Sequence, residues 1–435
     1  MRGTLASSER TVDVKTAIDE VQRVLRDAGK LNYRTPSGEF PHQSAASLIG
    51  KNGVIVASRG KGLGRQCEAS ALFELYEHAV SMGVVERIDS NAEISTAQLY
   101  KGGALEPDFL GRNIRNSGVR TTLATPFYQV SKPAGAGVVW LPAAVYDEVP
   151  EAGDDPHLAL AARYWSSNGY AAGMTVADAS LHALNEVLER DAFSGFLLDV
   201  CCNRRVGAEL ALAESDLGRL QRSIERASDS SVTVRVLPSL AATVCIAFSN
   251  RHDYHRRRVV GLGCSGIPAY AAERALLEYE QEIAVEHEFE AGLLDTSDDD
   301  LDPETSSEVV HHEFLRRAYF LSEVPPAAQA KVELSQLPSS SGDFRETASR
   351  VIAAGYPVLR RTLHRRPQAG GSEVGPTVVQ IVVIGAEKFH LVRLGLPVEP
   401  IGRMRKPEIV AACQSGSGSL PVHYQKEKHH AGNHT

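Results

Sequence analysis

Three segments of this chain carry the same spacing of acids: Ala71–Glu77 and Ala183–Glu189 both read Ala-Leu-x-Glu-x-x-Glu, and Ala275–Gln281 repeats it with glutamine last. Residues three apart share one face of a helix, so each copy turns two oxygen-bearing side chains the same way. Brought together, Glu74, Glu77, Glu186, Glu189, Glu278 and Gln281 would make an oxygen-rich cage. Five converging carboxylates repel one another unless hard cations sit among them. Two magnesium ions would bring roughly +4, about the charge of one nucleotide triphosphate. Lys61, Arg190 and Arg274 add positive charge: Arg190 lies one turn from Glu186, and Arg274, Glu278 and Gln281 fall at i, i+4 and i+7 on one stripe. Guanidinium groups suit phosphate oxygens, and the set predicts a Mg-ATP site.

The elements that must position these groups are three helices, each entered from a glycine segment. The segments are Ser58–Gly64, Ser166–Gly173 and Gly261–Gly266. A glycine loop opening onto a helix start brings backbone N–H groups and the helix dipole to an anion. One pair of glutamates three apart is ordinarily a solvated helix face. Three pairs in one Ala-Leu register, each behind glycines, point instead to a site.

Two other nucleotide motifs fail. Gly261, Gly263 and Gly266 match G-x-G-x-x-G after Val259-Val260, but the dinucleotide fold needs an acid ending a second strand about 20 residues on. Here the chain after Gln281 stays helical and polar through Glu282, Glu286, Glu288 and Glu290. Around Lys61 there is neither the four-residue gap between glycines nor the Ser or Thr after lysine that a Walker loop requires.

At these residues the chain resembles the YcaO family. The resemblance is carried by Ser58–Gly62 with Ser70–Glu77, by Ser167-Asn168-Gly169 leading to Glu186–Ala192, and by Arg274-Ala275-Leu276 with Glu278 and Gln281. Val139–Ala143 is similar to that family's short tryptophan-proline strand, and the likeness runs from about residue 45 to 400. It implies an α/β fold of mixed β-sheets with flanking helices, and ATP-dependent activation of a peptide backbone amide. In that family the amide oxygen attacks the γ-phosphate of ATP, and phosphate then leaves. A Cys, Ser or Thr side chain of the substrate closes a thiazoline or oxazoline ring in one branch, and an external sulfur source gives a thioamide in another. Ring formation is the expectation favoured here. A non-catalytic nucleotide-binding scaffold stands as the alternative of another class.

Carried over position by position, the resemblance makes Glu74, Glu77, Glu186, Glu189 and Glu278 metal contacts. Lys61, Ser70, Glu74, Asn168, Glu186 and Arg274 become nucleotide contacts, and Glu189, Arg190, Glu278 and Gln281 catalytic. His78 departs from the family's usual arginine and Met174 from its frequent asparagine. The end, Gln425–Thr435, lacks the proline-alternating tail of many ring-forming members; the nearest pattern, Pro397-Val398-Glu399-Pro400, is interior.

At 435 residues and 43% hydrophobic content the chain can bury a large core. A net charge of −8 argues against nucleic acid as a partner. The first ten residues hold no apolar run and no stretch of 18 apolar residues occurs, so a cytoplasmic protein with no membrane partner is expected. The six cysteines form no C-x-x-C pair, and neither zinc nor disulfides are expected. The expected organisation is a helical N-terminal extension over 1–45, an ATP-binding core over 46–293, an acidic linker over 294–308, a C-terminal part of the same domain over 309–410 and a disordered tail over 411–435. The stretch ahead of the first motif is too short for a separate leader-binding domain of about 80 residues. A ribosomal precursor peptide would therefore arrive on an E1-like or leader-recognition partner. A flavin dehydrogenase would follow if rings are oxidised, a TfuA-like protein if sulfur is added, and a homodimer is compatible with the chain.

Overall fold

Each of the three motif helices follows directly on a strand, and each of those strands is the edge of a different sheet. The computed structural model describes residues 11–34, 42–99, 110, 114, 120–133, 136–147, 156–213, 215–250, 257–290, 308–366 and 374–415. The acidic segment Asp295–Glu304 and the His-rich end lie outside these residues.

The strands are β1 (Gly29–Tyr33), β2 (Gln43–Gly50), β3 (Ile55–Lys61), β4 (Ala92–Ser95), β5 (Thr121–Gln129), β6 (Val138–Pro142), β7 (Tyr170–Gly173), β8 (Ala208–Ala211), β9 (Val232–Leu237), β10 (Thr243–Ser249), β11 (Val260–Ser265), β12 (Gln329–Glu333), β13 (Val358–Arg365) and β14 (Thr377–Val383). The helices are α1 (Val14–Ala28), α2 (Gln66–Ser81), α3 (Ala143–Tyr146), α4 (Pro156–Ala162), α5 (Val176–Cys201), α6 (Asp216–Ser228), α7 (Pro268–Glu290), α8 (Glu308–His311), α9 (Glu313–Phe320), α10 (Phe344–Ala353) and α11 (Pro407–Ser415).

One sheet has the order β1-β2-β3, a second β11-β10-β9-β8-β12, and the third β4-β5-β13-β14-β7 with β6 paired to β5. β12 runs parallel to β8 and the other ladders are antiparallel. The sequence reading of mixed sheets with flanking helices holds. The glycine segments are loops only in part: Gly62, Gly64, Gly169 and Gly266 lie outside the strands, but Gly60 lies in β3, Gly173 in β7, and Gly261 and Gly263 in β11. Their service is to packing. A Cβ on Gly60 would fall 1.9 Å from the backbone nitrogen of Ala71, and one on Gly263 would fall 2.2 Å from the carbonyl oxygen of Ala271. Each bare strand thus lets its own helix lie close against it, with no side chain between.

Helix starts follow local chemistry. Asp13 caps α1 by accepting from Thr16 N at 3.0 Å, and Thr175 caps α5 by accepting from Asp178 N at 3.0 Å. Proline at the start of α7 costs no hydrogen bond. The periodic apolar residues of α1, among them Ile18, Val21 and Leu25, are buried with Leu72, Tyr76 and Ala79 of α2. α1 is therefore part of the same packed body as the first motif. All seven residues of β14 are buried, the central Gln380 among them, where it accepts from Arg361 Nε at 2.7 Å. α11 continues through Ser415, across the boundary expected at 410.

Candidate active site

α2, α5 and α7 present their motif faces to one cavity of about 380 Å³. Lys61, Ser70, Glu74, Glu77, Glu186, Glu189, Arg190, Arg274, Glu278 and Gln281 all line it. Asn168 does not. It faces a separate cavity of about 30 Å³, while its neighbour Ser167 faces the larger one. The Oδ1 atom of Asn168 is buried with no hydrogen-bond partner among the described residues.

The cavity has two electrostatic halves. On one side burial pushes Glu74 up to about 7, with Lys61 pulling it down and Glu278 and Glu282 pushing further. Burial likewise takes Glu186 to about 7 against the pull of Arg190. Glu77 stands well above the ordinary carboxylate range because it is buried and because Glu186 and Glu74 act on it. Backbone N–H groups tie two of these acids to the chain beside them, Ala172 of β7 to Glu77 and Gly169, just ahead of β7, to Glu186.

The other half is braced by cations. Lys61 donates to Glu278, and burial, which alone would raise this carboxyl, is outweighed by Lys61, Arg190 and Arg274, so Glu278 stays below its usual value. Glu189 is raised by burial and by the charge of Glu278 beside it, with Arg190, Arg274 and Lys61 opposing. Burial would discharge Arg190, but Glu189, Glu278 and Glu186 keep it firmly protonated.

Residues 59–387 match the family described as YcaO cyclodehydratase, ATP- and Mg2+-binding. The chain belongs to the YcaO family. No curated protein matches it. Among solved structures it is similar to YcaO from Methanopyrus kandleri bound with AMPPCP and Mg2+, at 22% identity and a TM-score of 0.62, over 93% of this chain and 99% of that one. It is similar to a heterocyclase in complex with substrate and cofactor, at 18% identity and a TM-score of 0.61, over 97% of this chain and 58% of that one. The E. coli microcin synthetase McbBCD complex matches at 12% identity and a TM-score of 0.56, over 82% of this chain and 88% of that one. At these identities the likeness is one of fold. Family membership makes this chain an ATP-dependent cyclodehydratase or related amide-activating enzyme, with ATP and Mg2+ as its cofactors.

The YcaO cofactors can be tested against the side chains present. Among the described residues no group of three or more His, Cys, Asp or Glu is arranged to hold a metal by itself. Mg2+ does not need one: it is held through one or two carboxylates, with phosphate oxygens and waters filling the octahedron. Glu74, Glu77 and Glu186 are carboxyls whose charged form is disfavoured until positive charge arrives, which suits that role. Lys61, Arg190 and Arg274 suit phosphate oxygens. The donor set fits Mg-ATP, with the metal completed by its ligand.

Other residues line the YcaO cavity without having been read from the sequence. Asn185 and Glu282 extend the motif stripes, standing four residues before Glu189 and four after Glu278; helical spacing alone would have found them. Glu273 lines the cavity too, buried with its Oε2 lacking a partner among the described residues, and burial pushes it up to about 7 against the opposing charge of His42. Val12 and Ala17 complete a wall from the N-terminal segment, which the sequence presented only as an amphipathic extension. Among the described residues no helix is long and apolar enough to cross a membrane.

Proposed function

We propose that this protein uses ATP to activate backbone amides of a ribosomally made peptide, closing Cys, Ser or Thr residues into thiazolines or oxazolines. The observation that carries the reading is the cavity itself: six motif oxygen donors and three cations, from three helices and the end of β3, meet in one space in a member of the YcaO family. Bound Mg-ATP supplies the phosphoryl group that takes the amide oxygen away as phosphate. Transfer of that kind asks a protein for positioning and charge neutralisation more than for covalent help. Arg190 and Arg274 orient phosphate oxygens, Lys61 is held in place by Glu278, and the acids of the other half hold metal. Ring closure is supported over sulfur addition by the similar heterocyclase with substrate and cofactor. Delivery by a partner protein is supported by the similar microcin synthetase complex with pro-MccB17 bound; an E1-like or leader-recognition protein, with a flavin dehydrogenase for oxidised rings, fits that role.

Incubating the protein with Mg-ATP, candidate precursor peptides and candidate delivery partners tests this, with phosphate release and peptide mass as readouts. Each ring should cost the peptide about 18 Da as water, while a gain of about 16 Da would mark oxygen-to-sulfur exchange with a TfuA-like partner instead. Phosphate release at background with every peptide and partner would leave a nucleotide-binding scaffold.

A further inference from the structure

Behind the cavity, α5 has a second polar face. Asp191, Ser194 and Gly195 repeat the i, i+3, i+4 spacing of Glu186, Glu189 and Arg190 five residues further on, an offset that turns the second set about 140° around the helix, with Ser194 nearest the cavity side, one turn from Arg190. Asp191 is fully buried and receives a forked pair from Arg403: Nε lies 3.0 and 2.9 Å from its two oxygens, and Nη2 lies 2.9 Å from Oδ2. The backbone N–H of Glu387 donates to the same carboxylate at 2.9 Å. Ser194 Oγ accepts from His390 N at 2.9 Å. At Gly195 the helix is bare, and a Cβ there would fall 2.6 Å from the Met404 methyl.

The segment that makes these contacts is itself fixed. The buried Glu387 carboxyl accepts from the backbone N–H groups of Ile401 and Gly402, each at 3.0 Å, and of its neighbour Lys388 at 2.9 Å. Tyr164 closes the other end, donating to the Glu399 carbonyl and accepting from its N–H, both at 3.1 Å. Residues 399–404 lie beyond the stretch that matches the YcaO family. They nevertheless grip the helix that carries Glu186, Glu189 and Arg190.

We infer that this C-terminal segment sets the rotation of α5 about its axis, with Asp191, Arg403 and Glu387 as positioning residues for Arg190 and the two glutamates. A helix of this length packed on apolar residues alone can roll by a fraction of a turn at little cost, because apolar contacts are not directional. A planar fork on a buried carboxylate is directional. A roll that moves the cavity groups by about 1 Å is enough to cost on the order of 10²-fold in a positioned reaction.

The inference rests on the Mg-ATP reading of the cavity and is tested by binding rather than turnover. Mg-ATP affinity is measured by titration calorimetry for the wild type, Arg403→Met, Arg190→Met, Glu74→Gln and the double variants, with circular dichroism as the check of folding. R403M should weaken Mg-ATP about ten-fold, and R403M with R190M should lose less than the product of the two single losses, because part of what Arg403 positions is Arg190 itself. R403M, which acts on α5, and E74Q, on α2, should multiply. Wild-type affinity in R403M would overturn the inference, and so would losses that multiply as freely with R190M as with E74Q. Should R403M fail to fold, Arg403→Lys carries the same comparison: it keeps the charge but loses the fork, and about three-fold weaker binding is expected. A wild-type protein that binds no Mg-ATP overturns the function reading and this inference together, whereas normal wild-type binding with unaffected variants overturns this inference alone.

Discussion

The two halves of the cavity use the same residue type to opposite ends. Glu278 keeps its charge because Lys61, Arg190 and Arg274 surround it, whereas Glu77 is driven well above the ordinary range by burial, with Glu186 and Glu74 adding to it. A carboxylate already neutralised by the protein is a fixed structural part; one buried among its own kind is held back from its charged form until a cation arrives. The cation-braced half is built before the nucleotide arrives. The acid-rich half is completed by it.

The sharpest way to break this contrast is to remove one member from the braced half. Glu278→Gln or Glu189→Gln should lower turnover on the order of 10²- to 10³-fold, the usual cost of deleting one preorganised electrostatic group, read as phosphate release with the matched peptide. Full activity in either variant would refute the site. Stability without ligand should move in opposite directions in the two halves. Glu278→Gln leaves Lys61 without its charged partner and should destabilise the protein by about 2 kcal/mol, while Glu77→Gln removes a carboxyl that burial first, and Glu186 and Glu74 after it, keep from ionising, and should stabilise the protein by about 1 kcal/mol at pH 8. Denaturant melts in EDTA read both, and the same sign for the two would erase the distinction between the halves.

Acidity gives a subtler handle. Glu74 and Glu186 stand at about 7 against an ordinary 4.5. Their contribution to stability is thus whole below about pH 4.5 and is lost as pH rises through about 7. In EDTA the melting temperature should fall between pH 5 and pH 8, and saturating Mg-ATP should flatten the slope. Asp147, buried yet held below the ordinary range by Arg87 and Arg361, loses its own contribution only in stronger acid, outside that window. The smallest effect belongs to Asn168→Ala: since Asn168 faces the lesser cavity, Mg-ATP affinity should change by less than about three-fold, the scale of a neutral hydrogen bond at most. A ten-fold loss would return Asn168 to the nucleotide.

Much of this site was legible along the chain because helices make spacing into geometry. Glu74 with Glu77, and Glu186 with Glu189, had to share a face wherever their helices lay. Asn168 was misplaced because it sits outside a helix, where adjacent residues such as Ser167 and Asn168 can open on different cavities. The glycines were misjudged for a related reason. A glycine before a helix reads alike whether it offers its N–H to an anion or lets the helix settle on a strand, and only the 1.9 Å clearance at Gly60 decides for packing.

By itself the sequence determined the donor types, their pairing on helical faces and the family, since each follows from residue identity and a local period of 3.6. Tertiary structure alone decided that three helices, each following an edge strand of a different sheet, converge, that the acids divide into a braced half and a half kept from ionising, and that residues near 400 grip the back of α5. Those depend on distances between residues far apart in the chain, such as Lys61 with Glu278 and Asp191 with Arg403. Charges so placed act through separation and burial, which no local spacing encodes.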